Sequence, residues 1–259
     1  MLQKERQNRI VELLQQEKTI KIKELAQLFD VSIITIRRDF DMLEEAGLIK
    51  KIYGGASLPE NAGIESIQPF FSARIEKHRA EKLSIASAAA ALVQNGDTIV
   101  LDIGTTCREV ARLLKKRANI TVLTNSLPIL NELVGTNVTV YSLGGLLRSE
   151  ELALCGSIAT NSLSNFCVNK AFIGTGGITL ENGLTNHNQD NARLCQAIVS
   201  RADQAILVAD SSKFDKNAFA VIGPIECVDV IITDKGISQK YAEEIRQRGV
   251  ELILAQRDG

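Results

Sequence analysis

The chain has 259 residues, enough for one large domain or for a small one joined to a medium one. With 45% hydrophobic and 24% charged residues it has an ordinary globular composition, and no apolar run approaches the roughly 20 residues that span a bilayer. A formal net charge of −1 excludes a bulk electrostatic attraction for nucleic acid, so any DNA footprint must come from where charges are placed.

Nothing behind the polar start Met1 to Arg6 resembles the apolar core of an export signal. The five cysteines, Cys107, Cys155, Cys167, Cys195 and Cys227, are odd in number, far apart and without a CxxC pair. This usage predicts buried, reduced thiols in a cytoplasmic protein rather than a disulfide framework or a zinc site.

Along 2–14 the apolar residues Ile10, Val11, Leu13 and Leu14 fall among charges, which predicts a helix with one buried stripe. A short β-type break at 19–22 is followed by a second helix at 23–29, with Leu25, Leu28 and Phe29 facing inward. Asp30 is placed at the turn, where Asp tolerates a left-handed conformation, and Ser32 is a helix N-cap. The third helix is predicted from 33 to 46, with Gly47 as its stop.

At 100° per residue, Ile33, Ile36, Phe40 and Leu43 share the packing face of that helix. Ile34, Thr35, Arg38, Asp41 and Met42 occupy the opposite face, with Arg37 on its flank. One stripe would anchor the helix while the other offers a guanidinium, a hydroxyl and apolar groups to base edges in a major groove. Residues 48–56 then read as a strand and a glycine-cornered wing that places Lys50, Lys51 and Tyr53 for phosphate and groove-edge contacts. The residues expected at double-stranded DNA are therefore Ser32, Ile34, Thr35, Arg37, Arg38, Lys50, Lys51 and Tyr53. The competing reading is a three-helix unit for protein contacts, its arginines merely solvated. The ordered succession of turn, cap, two-faced helix and wing favours DNA.

Domain boundaries are expected at 1–57 for this winged helix-turn-helix, 58–72 for a linker and 73–259 for a larger α/β domain, since Gly54 to Pro69 holds three Gly, two Pro, Asn and Ser without clear periodicity. The last begins with one long Ala-rich helix over 73–93. Strands are predicted at 98–103, 120–124, 138–143, 170–174, 205–209, 228–233 and 250–254. Helices lie between them at 108–116, 128–134, 157–166, 191–202 and 238–248. Repeated βα alternation implies a largely parallel sheet covered on both faces.

Ligands of such sheets sit beyond the carboxyl ends of the strands. There this sequence offers Asp102, Gly104, Thr105 and Thr106, then Asn125 and Ser126, then Gly144 and Gly145, then Gly176, and finally Lys213. Small residues admit a ligand close to the backbone, and amide groups opening a helix suit an anion. Hydroxyls from Thr105, Thr106 and Ser126, the charge of Lys213, and Asp102 and Asn125 as partners for sugar hydroxyls make a site for phosphate plus polyol. Neither GxxxxGK[ST] nor GxGxxG occurs, and the two histidines, His78 and His187, lack metal-ligand spacing, with His187 expected in an exposed loop. No metal and no cofactor is expected.

The run Phe29-Asp30-Val31-Ser32-Ile33-Ile34-Thr35-Ile36-Arg37-Arg38-Asp39-Phe40, followed by Leu43-Glu44, Gly47 and Tyr53-Gly54-Gly55-Ala56, resembles the N-terminal signature of the DeoR family of bacterial regulators. Phe40 and Tyr53 stand where Leu and His are usual. The resemblance continues through Glu81-Lys82, Leu101 to Thr106, Thr124 to Ser126, Ala171 to Ile178, Gly183 to Thr185, Asp210 to Phe214 and Ile231 to Asp234, so it covers nearly the whole chain. It implies an effector domain similar in fold to ribose-5-phosphate isomerase and glucosamine-6-phosphate deaminase, binding phosphorylated sugars without turning them over. It assigns the phosphate to Gly104, Thr105, Thr106 and Lys213, and ring contacts to Asp102, Asn125 and Gly145. Cys107 stands where Thr is frequent, Cys195 where many members have Lys, and Asn191 where an acid is usual.

The expected function is a repressor of a carbohydrate-metabolism operon, controlled by a phosphorylated sugar. Inducer and co-repressor action both remain open. It would pair with itself as a homodimer or homotetramer on a symmetric operator, away from membranes. The alternative is a sugar-phosphate isomerase or deaminase with a DNA-binding appendage, with no catalytic residues assigned, because no second acid clusters with Asp102 in its loop. A third reading leaves the larger domain only an oligomerising role.

Overall fold

A computed structural model describes residues 3–17, 19–45, 48–57 and 71–256. The helix stop expected at Gly47 and all but the end of the expected linker lie outside them. The chain divides into two compact units, Met1–Arg74 and Ile75–Gly259.

In the first unit α1 (Gln3–Glu17), β1 (Thr19–Lys21), α2 (Ile22–Leu28) and α3 (Ile33–Glu45) precede a wing of β2 (Lys50–Ile52) and β3 (Gly55–Ser57). The strands form an antiparallel sheet in the order β1-β3-β2. Asp30 has φ 51° and turns the chain between α2 and α3. Ser32 caps α3, its Oγ accepting from the Thr35 amide at 3.1 Å. Ile10, Leu14, Leu25, Ile36, Phe40 and Leu43 build the core. Two expected core positions face outward instead. Leu28 is 62% exposed at the end of α2 and Ile33 is 38% exposed in the first turn of α3; at helix ends the apolar stripe runs past the packing partner.

Helix α4 (Phe71–Glu76) spans the division point, and α5 (Arg79–Ala91) is the first whole element of the second unit. The single long helix expected over 73–93 is therefore broken. His78 takes a left-handed conformation at φ 53°, and Lys82 Nζ donates to the Lys77 carbonyl at 2.6 Å across the break. Six strands then alternate with helices and short hairpins: β4 (Thr98–Leu101), α6 (Thr105–Leu114), β5 (Thr121–Thr124), α7 (Leu127–Leu133), β6 (Thr139–Ser142), β7 (Leu146–Arg148), β8 (Ala153–Cys155), α8 (Ser157–Leu163) and β9 (Val168–Ile173). They continue with β10 (Gly177–Thr179), β11 (Gly183–Asn186), α9 (Gln189–Arg201), β12 (Ala202–Val208), β13 (Ala220–Gly223), β14 (Val230–Asp234), α10 (Gln239–Gln247) and β15 (Glu251–Ala255).

All seven expected strands are present and form one parallel sheet in the order β15-β14-β12-β9-β4-β5-β6. Successive strand residues point to opposite faces. Ile99, Leu101, Val122, Phe172, Ile206 and Ile232 therefore pack with α5, α6 and α7. Val100, Leu123, Ala171, Ile173, Leu207 and Ile231 pack with α8, α9 and α10 on the other side. Two small antiparallel sheets, β10-β11-β13 and β7-β8, had no counterpart in the predicted pattern. No helix among the described residues is long and apolar enough to cross a membrane.

Candidate functional site

On α3 the periodicity separates two faces as expected. Ile36, Phe40 and Leu43 are buried, while Ile34 is 64% exposed and Arg37, Arg38, Asp41 and Met42 also face solvent. Ser32 is exposed, Thr35 is half-buried, and their hydroxyls lie 2.9 Å apart. Helix α3 is fixed by a residue that apolar periodicity could not find. Asp39 is fully buried, and Arg6 Nε from α1 donates to its Oδ2 at 2.5 Å.

In the wing, Lys50 and Tyr53 are exposed. Lys51 is differently engaged. Its ammonium lies 2.8 Å from Asp41 Oδ1 and 3.0 Å from Glu44 Oε2, tying the wing to α3. The Asp41 hydrogen bond, then that to Glu44, holds the ammonium's pKa above its ordinary value.

In the second unit the chain leaves β4 in one lateral direction, through β5 to β6, and leaves the neighbouring β9 in the other, through β12 and β14 to β15. The crevice beyond such a switch point is where open α/β sheets bind ligands. Gly104 lies there with φ 138° and ψ 155°, immediately before the ten-residue α6, and no atom comes within 4 Å of where its Cβ would be. Thr105 and Thr106 open α6, whose first-turn amides have no intrahelical acceptor. An open approach to a helix N-terminus accommodates an anion, although Thr105 and Thr106 are themselves buried.

Asp102, at the end of β4, is less accessible than its expected role suggests. It is 1% exposed, and its Oδ2 accepts from the Gly174 amide at 3.3 Å and from the Cys195 thiol at 3.3 Å. Burial pushes its pKa up to about 6, against hydrogen bonds from Ile103, Cys195 and Gly174 that lower it. Burial likewise pushes the Cys195 and Cys107 thiols up.

Asn125 and Ser126 end β5, and the β7-β8 hairpin lies against them. Asn125 Nδ2 donates to the Leu154 carbonyl at 2.9 Å, and backbone bonds join Leu154 to Asn125 and Leu127 to Leu152. Gly144 and Gly145 lead from β6 into the hairpin. A Cβ on Gly145 would stand 2.4 Å from the Cys155 carbonyl oxygen, so here glycine makes room for β8. Gly176, after β9, is packed by His187, which is half-buried after β11 and not in an exposed loop. Lys213 closes a short turn after β12, its amide bonded to the Asp210 carbonyl at 3.0 Å.

The hairpin brings residues that the linear pattern did not single out. Glu151 is 4% exposed and accepts a short hydrogen bond from Asn191 Nδ2 of α9. All five cysteines are free, and Cys167, unlike the others, is exposed.

The pattern of the DeoR-like helix-turn-helix domain matches residues 6–62, and that of the DeoR C terminal sensor domain matches residues 77–235. The chain is 36% identical over 251 residues to the transcriptional repressor AccR of Agrobacterium fabrum, covering 95% of this chain and 96% of that protein. It is 34% identical over 260 residues to the HTH-type transcriptional repressor GlcR of Bacillus subtilis, covering 100% and 98%. Among solved structures, a ribose 5-phosphate isomerase from Methanocaldococcus jannaschii matches 53% of this chain and 55% of its own, at 17% identity and a TM-score of 0.41, too slight a likeness to carry an argument.

Proposed function

The chain belongs to the DeoR family, a transcriptional regulator and not an enzyme, and from that premise we propose that it represses a carbohydrate-metabolism operon under control of a phosphorylated sugar. The observation that carries this reading is the open Gly104 corner at the switch point, where the N-terminus of α6 meets the hydroxyls of Thr105 and Thr106. Lys213 supplies compensating charge from the neighbouring rim. Asn125, Gly144, Gly145, Gly176 and the floor residue Asp102 complete it on the polyol side, and Ser126 adds a hydroxyl donor.

On the DNA side, Ile34, Thr35, Arg37 and Arg38 read the major groove, with Ser32, Lys50 and Tyr53 at the backbone and groove edge, while Lys51, expected there from the sequence, instead ties the wing to α3 through Asp41 and Glu44. The protein acts in the cytoplasm as a homodimer or homotetramer on a symmetric operator. Its boundaries are a DNA-binding domain over 1–57, a linker over 58–72 and the sensor domain over 73–259. Coupling of roughly 1–3 kcal/mol between the two sites gives a 5- to 150-fold switch.

The test begins with duplexes selected by the protein from random sequence. Their affinity is then measured with pentose and hexose monophosphates and with the same sugars unphosphorylated. One phosphate ester is expected to change affinity within that range, and Lys213→Ala to abolish the change while sparing DNA binding. Affinity indifferent to every ester defeats the proposal.

A further inference from the structure

The β7-β8 hairpin rests on the end of β5, and the site described above makes no use of its side chains. Its register sets Arg148 opposite Ala153, and Ala153 forms a bridge with Ser126. Directly opposed residues of antiparallel strands project to the same face. Arg148, Ala153 and Ser126 therefore form one row. Ala153 is fully buried in its middle and contributes only a methyl.

The ends of this row hold polar atoms without partners. Arg148 Nε is buried and receives no hydrogen-bond acceptor, and Arg148 forms no ion pair among the described residues. Glu151, a buried acid of the hairpin, is bonded to Asn191. Ser126 Oγ, on a residue 1% exposed, is also unpartnered, as is Asn125 Oδ1 on a residue fully buried. Buried polar groups are nearly always satisfied by protein or by what the protein binds. One guanidinium Nε–H, one hydroxyl and one amide oxygen, each buried without a partner, suit an anion beside a hydroxyl-bearing body. A guanidinium is the side chain best matched to a phosphate, through parallel N–H donors.

We propose that Arg148 is an anion ligand of the sensor site, delivered by the hairpin to the phosphate group of the effector, with Ser126 Oγ as a second donor and Asn125 Oδ1 accepting from a sugar hydroxyl. This rests on the reading of the effector as a sugar phosphate. The backbone bonds that join residues 152 and 154 to residues 127 and 125 hold Arg148 in register with the site. A ligand grasped by Arg148 thus couples the hairpin to the ends of β5 and α7.

The experiment is calorimetric titration of the full chain with inorganic phosphate, with pentose and hexose monophosphates, and with the unphosphorylated sugars. Wild type, Arg148→Gln and Arg148→Lys are compared. For the ester that wild type binds, Arg148→Gln is expected to weaken binding about ten- to a hundredfold, the worth of a hydrogen bond to a charged group. Arg148→Lys, which keeps charge and bulk and protects against a folding defect, should fall between. Equal affinity of wild type and both variants for that ester overturns the role of Arg148 and leaves the effector reading intact. Failure of wild type to bind any phosphorylated compound overturns the effector reading itself, and the role of Arg148 with it.

Discussion

Cys195 holds its sulfur 3.3 Å from Asp102 Oδ2, and neither residue reaches solvent. The carboxyl lies at the floor of the switch point between β4 and β9, and the contacts around it are a thiol and two backbone amides. The charge of Glu151, which also acts on it, is of like sign. Here the acid is satisfied by neutral donors, and its ionised form is the costly one.

A pH dependence follows from that pairing. Folding raises the Asp102 pKa from 3.8 to about 6, so the folded state binds the proton more tightly than the unfolded chain. The associated stability is full below about pH 4 and is lost as pH rises through 6. Asp102→Asn mimics the protonated form. It should match wild type near pH 4 and exceed it at pH 8 by up to about 3 kcal/mol, the equivalent of roughly two pKa units. Thermal unfolding midpoints of both proteins from pH 4 to 8 check this; parallel curves would show that Asp102 does not ionise in that range.

The pair Arg6–Asp39 makes a second case. Both side chains are buried, joined at 2.5 Å, and link α1 to α3. Removing one partner strands the other charge. Asp39→Ala should cost about 3–5 kcal/mol, whereas replacing both by apolar residues of similar volume should cost far less. Urea unfolding of the single variant and of Arg6→Met/Asp39→Leu decides. Equal losses would mean that packing, not the stranded charge, sets the cost.

These two pairs mark what the sequence made legible. The seven parallel strands, the left-handed Asp30 and the Ser32 cap follow from period, turn chemistry and capping, all local properties. Asp39 did not, because an acid in a charged helix reads as solvated until a partner 33 residues away is known. The break at His78 was hidden by alanines that suit a helix on both sides. Gly145 was legible as a glycine but not in its reason: the clash it avoids is with Cys155, on a hairpin too short to show a pattern.

DNA recognition should separate Arg38 from Lys51. Arg38 is exposed on the outer face of α3, and Arg38→Ala is expected to cost about 1–3 kcal/mol on operator and to relax base preference. Lys51 is held by Asp41 and Glu44, so Lys51→Ala should leave the salt dependence of binding unchanged. A log–log salt slope reduced by about one in Lys51→Ala would show that the ammonium leaves its acids for a phosphate.

Gly104 and Gly145 offer a contrast in which stability and response move oppositely. Both have positive φ, at 138° and 117°, so alanine is strained at either. At Gly104 the strain stands alone, since no atom lies within 4 Å of the added carbon, and a cost of about 1–3 kcal/mol is expected. At Gly145 the carbon meets the Cys155 carbonyl oxygen at 2.4 Å and its nitrogen at 3.1 Å. Both are backbone atoms of β8, which cannot swing aside as a side chain would. Gly145→Ala should therefore unfold at lower temperature than Gly104→Ala. Gly104→Ala, which fills the corner where the anion approaches α6, should lose the effector response while still folded. Melting curves with and without the effective sugar phosphate measure both. A Gly104→Ala protein that keeps the full ligand-induced shift would move the anion away from α6 and toward the hairpin.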